Sequence, residues 1–199
     1  MKEGGKLAGG NPARGRVEND FYATPPEATE ALLRVEDIIY PALEPACGAG
    51  HISKLLDEKQ TFSFDLIDRG YSGMTMDFLQ DFQDVMANIV FDTRTRNGVN
   101  TIITNPPFNL FQEFAERALE IAGKKVILFG KIQALEGQKR ATFMENSPLK
   151  TVYVFKKRIN PMRNGSPVDE NEKPWASTMA FAWYVWEKGY NGEPVIRWI

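Results

Sequence analysis

The chain has 199 residues, 43% of them apolar and 25% charged, and its formal net charge is −2. These values are ordinary for a globular protein, and they exclude a uniformly basic nucleic-acid binder, an internally disulfide-bonded scaffold (there is one cysteine) and a histidine–cysteine metal centre (there is one histidine). The absence of an apolar run of roughly 18 residues or of a secretory signal favours a cytoplasmic protein without a membrane partner.

The predicted elements follow one another as strands and helices in alternation. Residues 1–18 are polar and glycine-rich, which predicts a flexible tail. Thr24 is predicted to cap a helix that begins with Pro25 and Pro26. The periodicity then predicts strands over 38–43, 62–67, 99–104 and 125–129, and helices over 51–59, 82–91 and 111–122. We therefore expect an α/β fold with a doubly wound, mostly parallel sheet.

The last third of the chain differs in pattern. Residues 151–155 and 177–187 are predicted strands, and both faces of the second are mostly apolar, which is typical of a central strand with helices on both sides. A polar loop is predicted over 156–173. The turn residues of 190–194 lead into the final apolar segment, so we expect a C-terminal antiparallel strand or hairpin.

Small and acidic residues follow the first two predicted strands. Gly48 and Gly50 allow a close approach of the backbone to a ligand, and Asp68 can accept hydrogen bonds from both hydroxyl groups of a ribose. Asp77 can accept one from an exocyclic amine. The alternatives are an ordinary glycine turn, a turn aspartate at 68 and a helix N-cap at 77. Cys47 is interpreted as a small buried residue, and His51 as a surface or packing residue.

The predicted strand 99–104 ends in Asn105-Pro106-Pro107-Phe108. Proline has no N–H group, so the pair ends the strand and stiffens the backbone. The Asn105 side-chain oxygen and the Pro106 carbonyl are two acceptors that match the two hydrogens of a planar amino group, and Phe108 can stack on a heterocycle. An amino group held in this way needs only positioning before its nitrogen attacks an electrophile. The structural alternative is a simple strand terminator.

These motifs resemble those of S-adenosylmethionine-dependent amino-methyltransferases, most of all the DNA adenine-N6 methyltransferases, including small phage-borne members. Asn105 to Phe108 matches the family's catalytic motif, and residues 44–50 match its cofactor motif. The order of the motifs is that of the family's gamma group. The resemblance implies a Rossmann-like methyltransferase fold, S-adenosylmethionine as cofactor with S-adenosylhomocysteine as product, and cofactor contacts from the following residues: Tyr22, Thr24, Pro25, Glu44, Pro45, Ala46, Gly48, Gly50, Asp68, Asp77 and Phe78.

The same resemblance implies that residues 19–199 form a single methyltransferase domain, because too few residues remain for a separate target-recognition domain. We expect a monomer or a weak dimer that acts on double-stranded DNA with the target adenine flipped out. The densest basic run supplies the expected phosphate contacts, Lys156, Lys157, Arg158 and Arg163, with a solvated loop edge as the alternative. Two alternatives to DNA methylation stay open: an RNA or protein-amide methyltransferase, and a non-catalytic regulator that binds the cofactor or DNA.

Overall fold

The computed structural model describes residues 21–80, 82–92, 95, 97–175 and 178–199, so the predicted tail 1–18 lies outside the described residues. The strands are β1 (Tyr22–Ala23), β2 (Ala42–Glu44), β3 (Thr61–Ser63), β4 (Thr101–Thr104), β5 (Lys125–Lys131), β6 (Leu149–Val154), β7 (Met162–Arg163), β8 (Phe181–Glu187) and β9 (Val195–Trp198). The α-helices are α1 (Pro26–Leu33), α2 (Phe82–Phe91), α3 (Phe111–Ile121) and α4 (Gln138–Glu145).

A seven-stranded sheet runs through the centre of the protein in the order β3-β2-β4-β5-β8-β6-β9. Strands β3, β2, β4 and β5 are parallel, and β8 lies antiparallel between β5 and β6. The short strands β1 and β7 pair separately and antiparallel. The predicted α/β fold with a mostly parallel sheet is confirmed.

Helices cover both faces of this sheet. Residues of α2, α3 and α4 pack on one face and α1 packs on the other. The side chains of β8 alternate between these two layers, with Tyr184 and Trp186 on the first and Trp183 and Val185 on the second. The Trp183 indole also donates a hydrogen bond of 2.9 Å to the Ala28 carbonyl of α1. The predicted central position of this strand is therefore confirmed.

The helix predicted over 51–59 is wrong. The segment forms only a 3₁₀ turn, Ser53–Leu55. Its backbone is diverted at Asp57, whose N–H group donates to the Tyr40 hydroxyl (3.0 Å) instead of to a helical carbonyl. The Asp57 carboxylate then accepts hydrogen bonds from the Lys59 N–H (3.0 Å) and the Gln60 side chain (2.7 Å). This side-chain competition with the backbone ends the turn.

The predicted C-terminal hairpin is also wrong, although an antiparallel strand, β8, is present in the C-terminal part of the chain. Both edges of β8 are already paired, with β5 and with β6. The last strand, β9, therefore adds to the free edge of β6 in parallel, with Val152 beside Ile196. Among the described residues, no helix is long and apolar enough to cross a membrane.

Removal of the Tyr184 hydroxyl is expected to destabilise the sheet modestly. This hydroxyl donates a hydrogen bond of 2.8 Å to the Lys131 carbonyl at the end of β5. Tyr184→Phe removes this hydrogen bond, so the free energy of unfolding should fall by about 1 kcal/mol in urea denaturation. Tyr190→Phe, which loses a bond to Glu193 in an exposed turn, is the control and should change stability less. Equal losses for the two variants would contradict this account.

Candidate active site

A cleft of about 260 Å³ lies at the carboxyl ends of the parallel strands β2, β3 and β4. The carboxyl edge of an open parallel sheet is where α/β proteins usually bind ligands. The structure brings most of the predicted site residues together as lining of this one cleft: Tyr22, Thr24, Glu44, Pro45, Ala46, Gly48, Asp77, Phe78, Asn105, Pro106, Pro107 and Phe108.

Three predicted cofactor residues do not line the cleft. Pro25 is the N-cap of α1, so the predicted cap at Thr24 is wrong. Gly50 turns the chain behind the cleft with a φ of +77°, against the ring of Tyr71. Asp68 is exposed, and its carboxylate accepts a hydrogen bond of 2.8 Å from the Gly70 N–H.

The carboxylate that lines the cleft after β3 is that of Asp65, not that of Asp68. Strand β3 ends at Ser63, earlier than predicted, so the acid at the strand end is Asp65. It accepts hydrogen bonds from the Gly48 N–H (2.7 Å) and the Ile67 N–H (3.0 Å). The other lining residues that the sequence analysis missed are mainly apolar and local patterns do not mark them: Phe21, Ala23, Cys47, His51, Ile52, Leu66, Ile67, Arg69, Met76, Leu79, Gln80, Leu110 and Phe114.

Gly48 is required by two features of its surroundings. Its φ is +54°, in the left-handed region that favours glycine. A Cβ atom at this position would lie 2.6 Å from Cε2 of Phe21. The loop after β2 thus approaches the N-terminal segment more closely than any side chain allows.

Glu44 is buried beneath this loop. Its carboxylate accepts hydrogen bonds from the Ser53 N–H (2.8 Å) and the Ser53 hydroxyl, and the Ser53 hydroxyl also contacts that of Ser63. Burial raises the pKa of Glu44 to about 8, against the opposing effect of the Ser53 hydrogen bonds. Burial also lowers the pKa of the nearby His51, with a further contribution from Lys54.

The raised pKa of Glu44 predicts that the protein loses stability as the pH rises. Between 4.5 and about 8, Glu44 keeps its proton in the folded protein and has lost it in the unfolded chain. Because the folded state binds the extra proton, the stabilisation is complete below the lower value and disappears toward the upper one. The free energy of unfolding, measured by urea denaturation, should differ by a few kcal/mol between the two ends of this pH range. Glu44→Gln should reduce this difference. An unchanged difference in the variant would contradict the assignment.

Asn105 is oriented by the N-terminal segment. Its Nδ2 donates a hydrogen bond of 2.6 Å to the Tyr22 carbonyl. A carbonyl can only accept, so the NH₂ end of the amide faces Tyr22 and Oδ1 is the end left for other partners. Pro106 is buried directly after it, and the chain then enters the 3₁₀ turn Phe108–Leu110 and helix α3.

Phe108 lies among aromatic and cationic groups. Its ring stacks on Tyr22 (centroids 5.8 Å apart, 29° between planes) and contacts Phe181 at 5.5 Å. The Lys131 ammonium lies 4.7 Å from the ring centroid. A planar group that stacks on Phe108 would therefore meet an aromatic rim and a positive charge.

The Thr24 side chain places a hydroxyl at the cleft. The residue is buried, and its Oγ1 atom has no hydrogen-bond partner among the described residues. A buried polar atom without a partner is costly, so a ligand group that pairs with it would be favoured. Within the described residues, no cluster of three or more histidine, cysteine or acidic side chains is placed to hold a metal ion.

The predicted basic residues lie in the loop between β6 and β8. Because β6 runs parallel to β4 and β5, this loop starts at the same sheet edge as Asn105. Lys156 and Lys157 are exposed. Arg158 donates from Nη1 to the carbonyls of Thr178 (3.1 Å) and Met179 (2.9 Å), and the Arg163 guanidinium lies 5.2 Å from the Trp175 ring.

No protein-family model matches the sequence, and no curated protein matches it. Solved structures of similar fold include the methyltransferase subunit of a type I restriction-modification system from Streptococcus thermophilus (TM-score 0.53, 10% identity), matched over 84% of this chain and 45% of that one. A protein from Agrobacterium tumefaciens described as a predicted O-methyltransferase matches at a TM-score of 0.53 and 14% identity, over 87% and 85% of the two chains. A DrdV–DNA complex matches at 0.56 and 14% identity, over 95% of this chain and 28% of that one. The chain therefore has a Rossmann-like methyltransferase fold.

Proposed function

We propose that the protein transfers a methyl group from S-adenosylmethionine to the N6 amino group of adenine in DNA. The observation that carries the proposal is the hydrogen bond from Asn105 Nδ2 to the Tyr22 carbonyl, 2.6 Å. It orients the side-chain oxygen as an acceptor within the cleft that the Gly48 loop also lines. A single domain over residues 19–199 would then bring the cofactor-binding residues and the residues that bind the target amino group into one cleft.

The residues present fit the cofactor. The Thr24 hydroxyl, which has no partner among the described residues, can donate to a carboxylate, and the missing side chain of Gly48 lets the loop after β2 lie against Phe21 at the cleft. Asp65 uses each carboxylate oxygen for one backbone N–H group, which leaves acceptor capacity for ribose hydroxyls. Asp77 and Phe78 would complete the contacts to the adenine end. When bound, S-adenosylmethionine supplies an electrophilic methyl group, and the reaction leaves S-adenosylhomocysteine.

The target amino group would be bound by the rigid segment that follows β4. Asn105 Oδ1 and the Pro106 carbonyl would accept one hydrogen each from the target amino group, which raises the electron density on its nitrogen. Two consecutive prolines keep these acceptors in place, so little reorganisation is needed during the reaction. A base in a duplex must leave the stack to reach this position, and the Phe108 ring would receive it. No general base is needed before attack, and the proton that the methylated nitrogen loses afterwards passes to solvent.

DNA is the acceptor favoured by the basic loop. Three inter-strand spacings of about 4.8 Å separate β4 from β6, so Lys156 starts about 14 Å from the Asn105 strand. This distance corresponds to about four base-pair steps, within one bound duplex. Arg158 anchors the loop through the Thr178 and Met179 carbonyls, and the exposed Lys156 and Lys157 precede it directly.

Removal of these two cations is expected to weaken DNA binding without altering cofactor binding. For Lys156→Ala/Lys157→Ala, the slope of log affinity against log salt should fall by about two, because each phosphate contact contributes about 0.9. The matched control is Lys124→Ala/Lys188→Ala, which removes two exposed lysines at the opposite sheet edge. Fluorescence anisotropy with labelled duplex DNA would measure both. Equal slopes for the two double variants would reject this interface.

The acceptor class is tested by comparing three substrate pools. The purified protein and radiolabelled S-adenosylmethionine would be incubated with duplex DNA, ribosomal RNA and whole-cell protein. Label in DNA that co-elutes with N6-methyl-2′-deoxyadenosine after nucleoside digestion is the expected result. Label in RNA or protein alone would select the alternative methyltransferase function. Cofactor binding with no labelled pool would instead indicate a non-catalytic regulator.

A further inference from the structure

Arg69 lies in the wall of the cleft, in the loop that follows β3. Its guanidinium lies over the ring of Phe21, with Cζ 4.1 Å from the ring centroid. Phe21 is the residue that would meet a side chain at Gly48, so this pair bridges the β3 loop and the loop after β2. Arg69 is thus held beside the loop after β2 by its contact with Phe21. This contact occupies one face of the guanidinium and leaves its edge for hydrogen bonds.

One donor on that edge, Nε, lacks a hydrogen-bond partner within the described part of the chain. The Arg69 Nε atom is also buried. A buried donor without an acceptor costs about 1–3 kcal/mol, and more when the group is charged. Nε and the neighbouring Nη of an arginine point in parallel and match the two oxygens of a carboxylate. The arrangement favours a carboxylate as the missing acceptor.

The charges around Arg69 restrict further which class of ligand can bind. The cleft is also lined by Asp65 and Asp77, so a purely anionic ligand would be repelled. A ligand with one carboxylate beside cationic groups complements this distribution. The amino-acid half of S-adenosylmethionine has this pattern, with an ammonium and a sulfonium on the same chain as its carboxylate.

We propose that Arg69 binds the carboxylate group of the cofactor and makes the cleft selective for ligands that carry it. The proposal rests on the proposed use of S-adenosylmethionine. Arg69 acts here as a binding residue and takes no part in methyl transfer itself. The Thr24 hydroxyl, which lines the same cleft and has no partner among the described residues, would supply a second, neutral donor to this carboxylate.

The test compares two ligands that differ only in the carboxylate. Isothermal titration calorimetry would measure binding of S-adenosylmethionine and of decarboxylated S-adenosylmethionine. The wild type should prefer the first by about 10- to 100-fold, the size of a charge-assisted hydrogen-bonded pair. Arg69→Met should lose most of this preference and keep only the part that the neutral Thr24 hydroxyl supplies. Arg69→Lys should keep more of it, because a lysine supplies a charge without the two parallel donors.

Arg34→Met is the matched control, because it removes an exposed arginine of the α1 C-terminus that does not line the cleft. Its ligand preference should equal that of the wild type. The preference is a ratio within one variant, so a general loss of affinity does not imitate the expected result, and Arg69→Lys provides the answer if Arg69→Met fails to fold. Equal binding of the two ligands by the wild type would overturn the role of Arg69, whereas no binding of S-adenosylmethionine at all would overturn the proposed function. Loss of duplex affinity with an unchanged ligand preference would assign Arg69 to a DNA phosphate and also overturn the inference.

Discussion

Asn105→Ala is expected to lower methyl transfer by at least about 100-fold, the size of loss seen when a preorganised hydrogen-bonding group is removed from an active site. The substitution removes the acceptor for the target amino group. It also removes the Nδ2 donor that holds the Tyr22 carbonyl at 2.6 Å. S-adenosylmethionine should still bind, since Asn105 is assigned to the acceptor half of the cleft. Single-turnover transfer and calorimetric binding would measure the two effects separately.

Two further variants sharpen this prediction. Asn105→Asp keeps an acceptor oxygen but cannot donate to the Tyr22 carbonyl, so it should retain part of the activity. Asn109→Ala removes an exposed amide four residues later and should transfer methyl groups at the wild-type rate. Retained turnover in Asn105→Ala would show that the two-acceptor account is wrong.

Gly48→Ala is expected to weaken cofactor binding by about 10- to 100-fold. The new methyl group would lie 2.6 Å from Cε2 of Phe21, at a residue whose φ of +54° already disfavours any side chain. Phe21 must then move, and the Arg69 guanidinium that lies over its ring must move with it. Calorimetry with S-adenosylmethionine would measure the loss.

Gly189→Ala is the control for the backbone contribution. Gly189 has a φ of +88°, but no atom lies within 4 Å of the position of a Cβ atom. This variant should lose some stability and keep its cofactor affinity. If both variants lost affinity equally, the close approach of Gly48 to Phe21 would not be the cause.

Periodicity predicted the elements that stay within one stretch of chain. Helix α3 and strand β4 lie within the predicted segments, and β8 ends at the predicted residue although it begins at Phe181. Their apolar patterns reflect burial on one face or on both faces of the element. The helix over 51–59 failed because Asp57 and Tyr40 formed competing hydrogen bonds, one of them between residues 17 positions apart. The hairpin failed because β9 found a free edge only at β6. Local patterns do not contain these long-range pairings.

The candidate site shows the same limit. The residues of the glycine loop and of Asn105 to Phe108 were found from their order and chemistry, and they line one cleft. The apolar pattern overestimates the length of β3 and therefore places Asp68 at the strand end, whereas the acid that follows the strand is Asp65, three residues earlier. Arg69 and Phe21 carried no sequence signal, since their contact joins segments 48 residues apart and exists only in the folded chain.

The central claim, that Asn105 and Pro106 present a rigid pair of acceptors to the adenine N6 amino group in DNA, is tested most directly in a host that lacks adenine methylation. Genomic DNA from cells that express the wild type or Asn105→Ala would be digested to nucleosides and analysed by mass spectrometry. The account predicts that N6-methyl-2′-deoxyadenosine is present with the wild type and absent with the variant. Wild-type DNA without this nucleoside, from cells in which the folded protein binds S-adenosylmethionine, would contradict the claim.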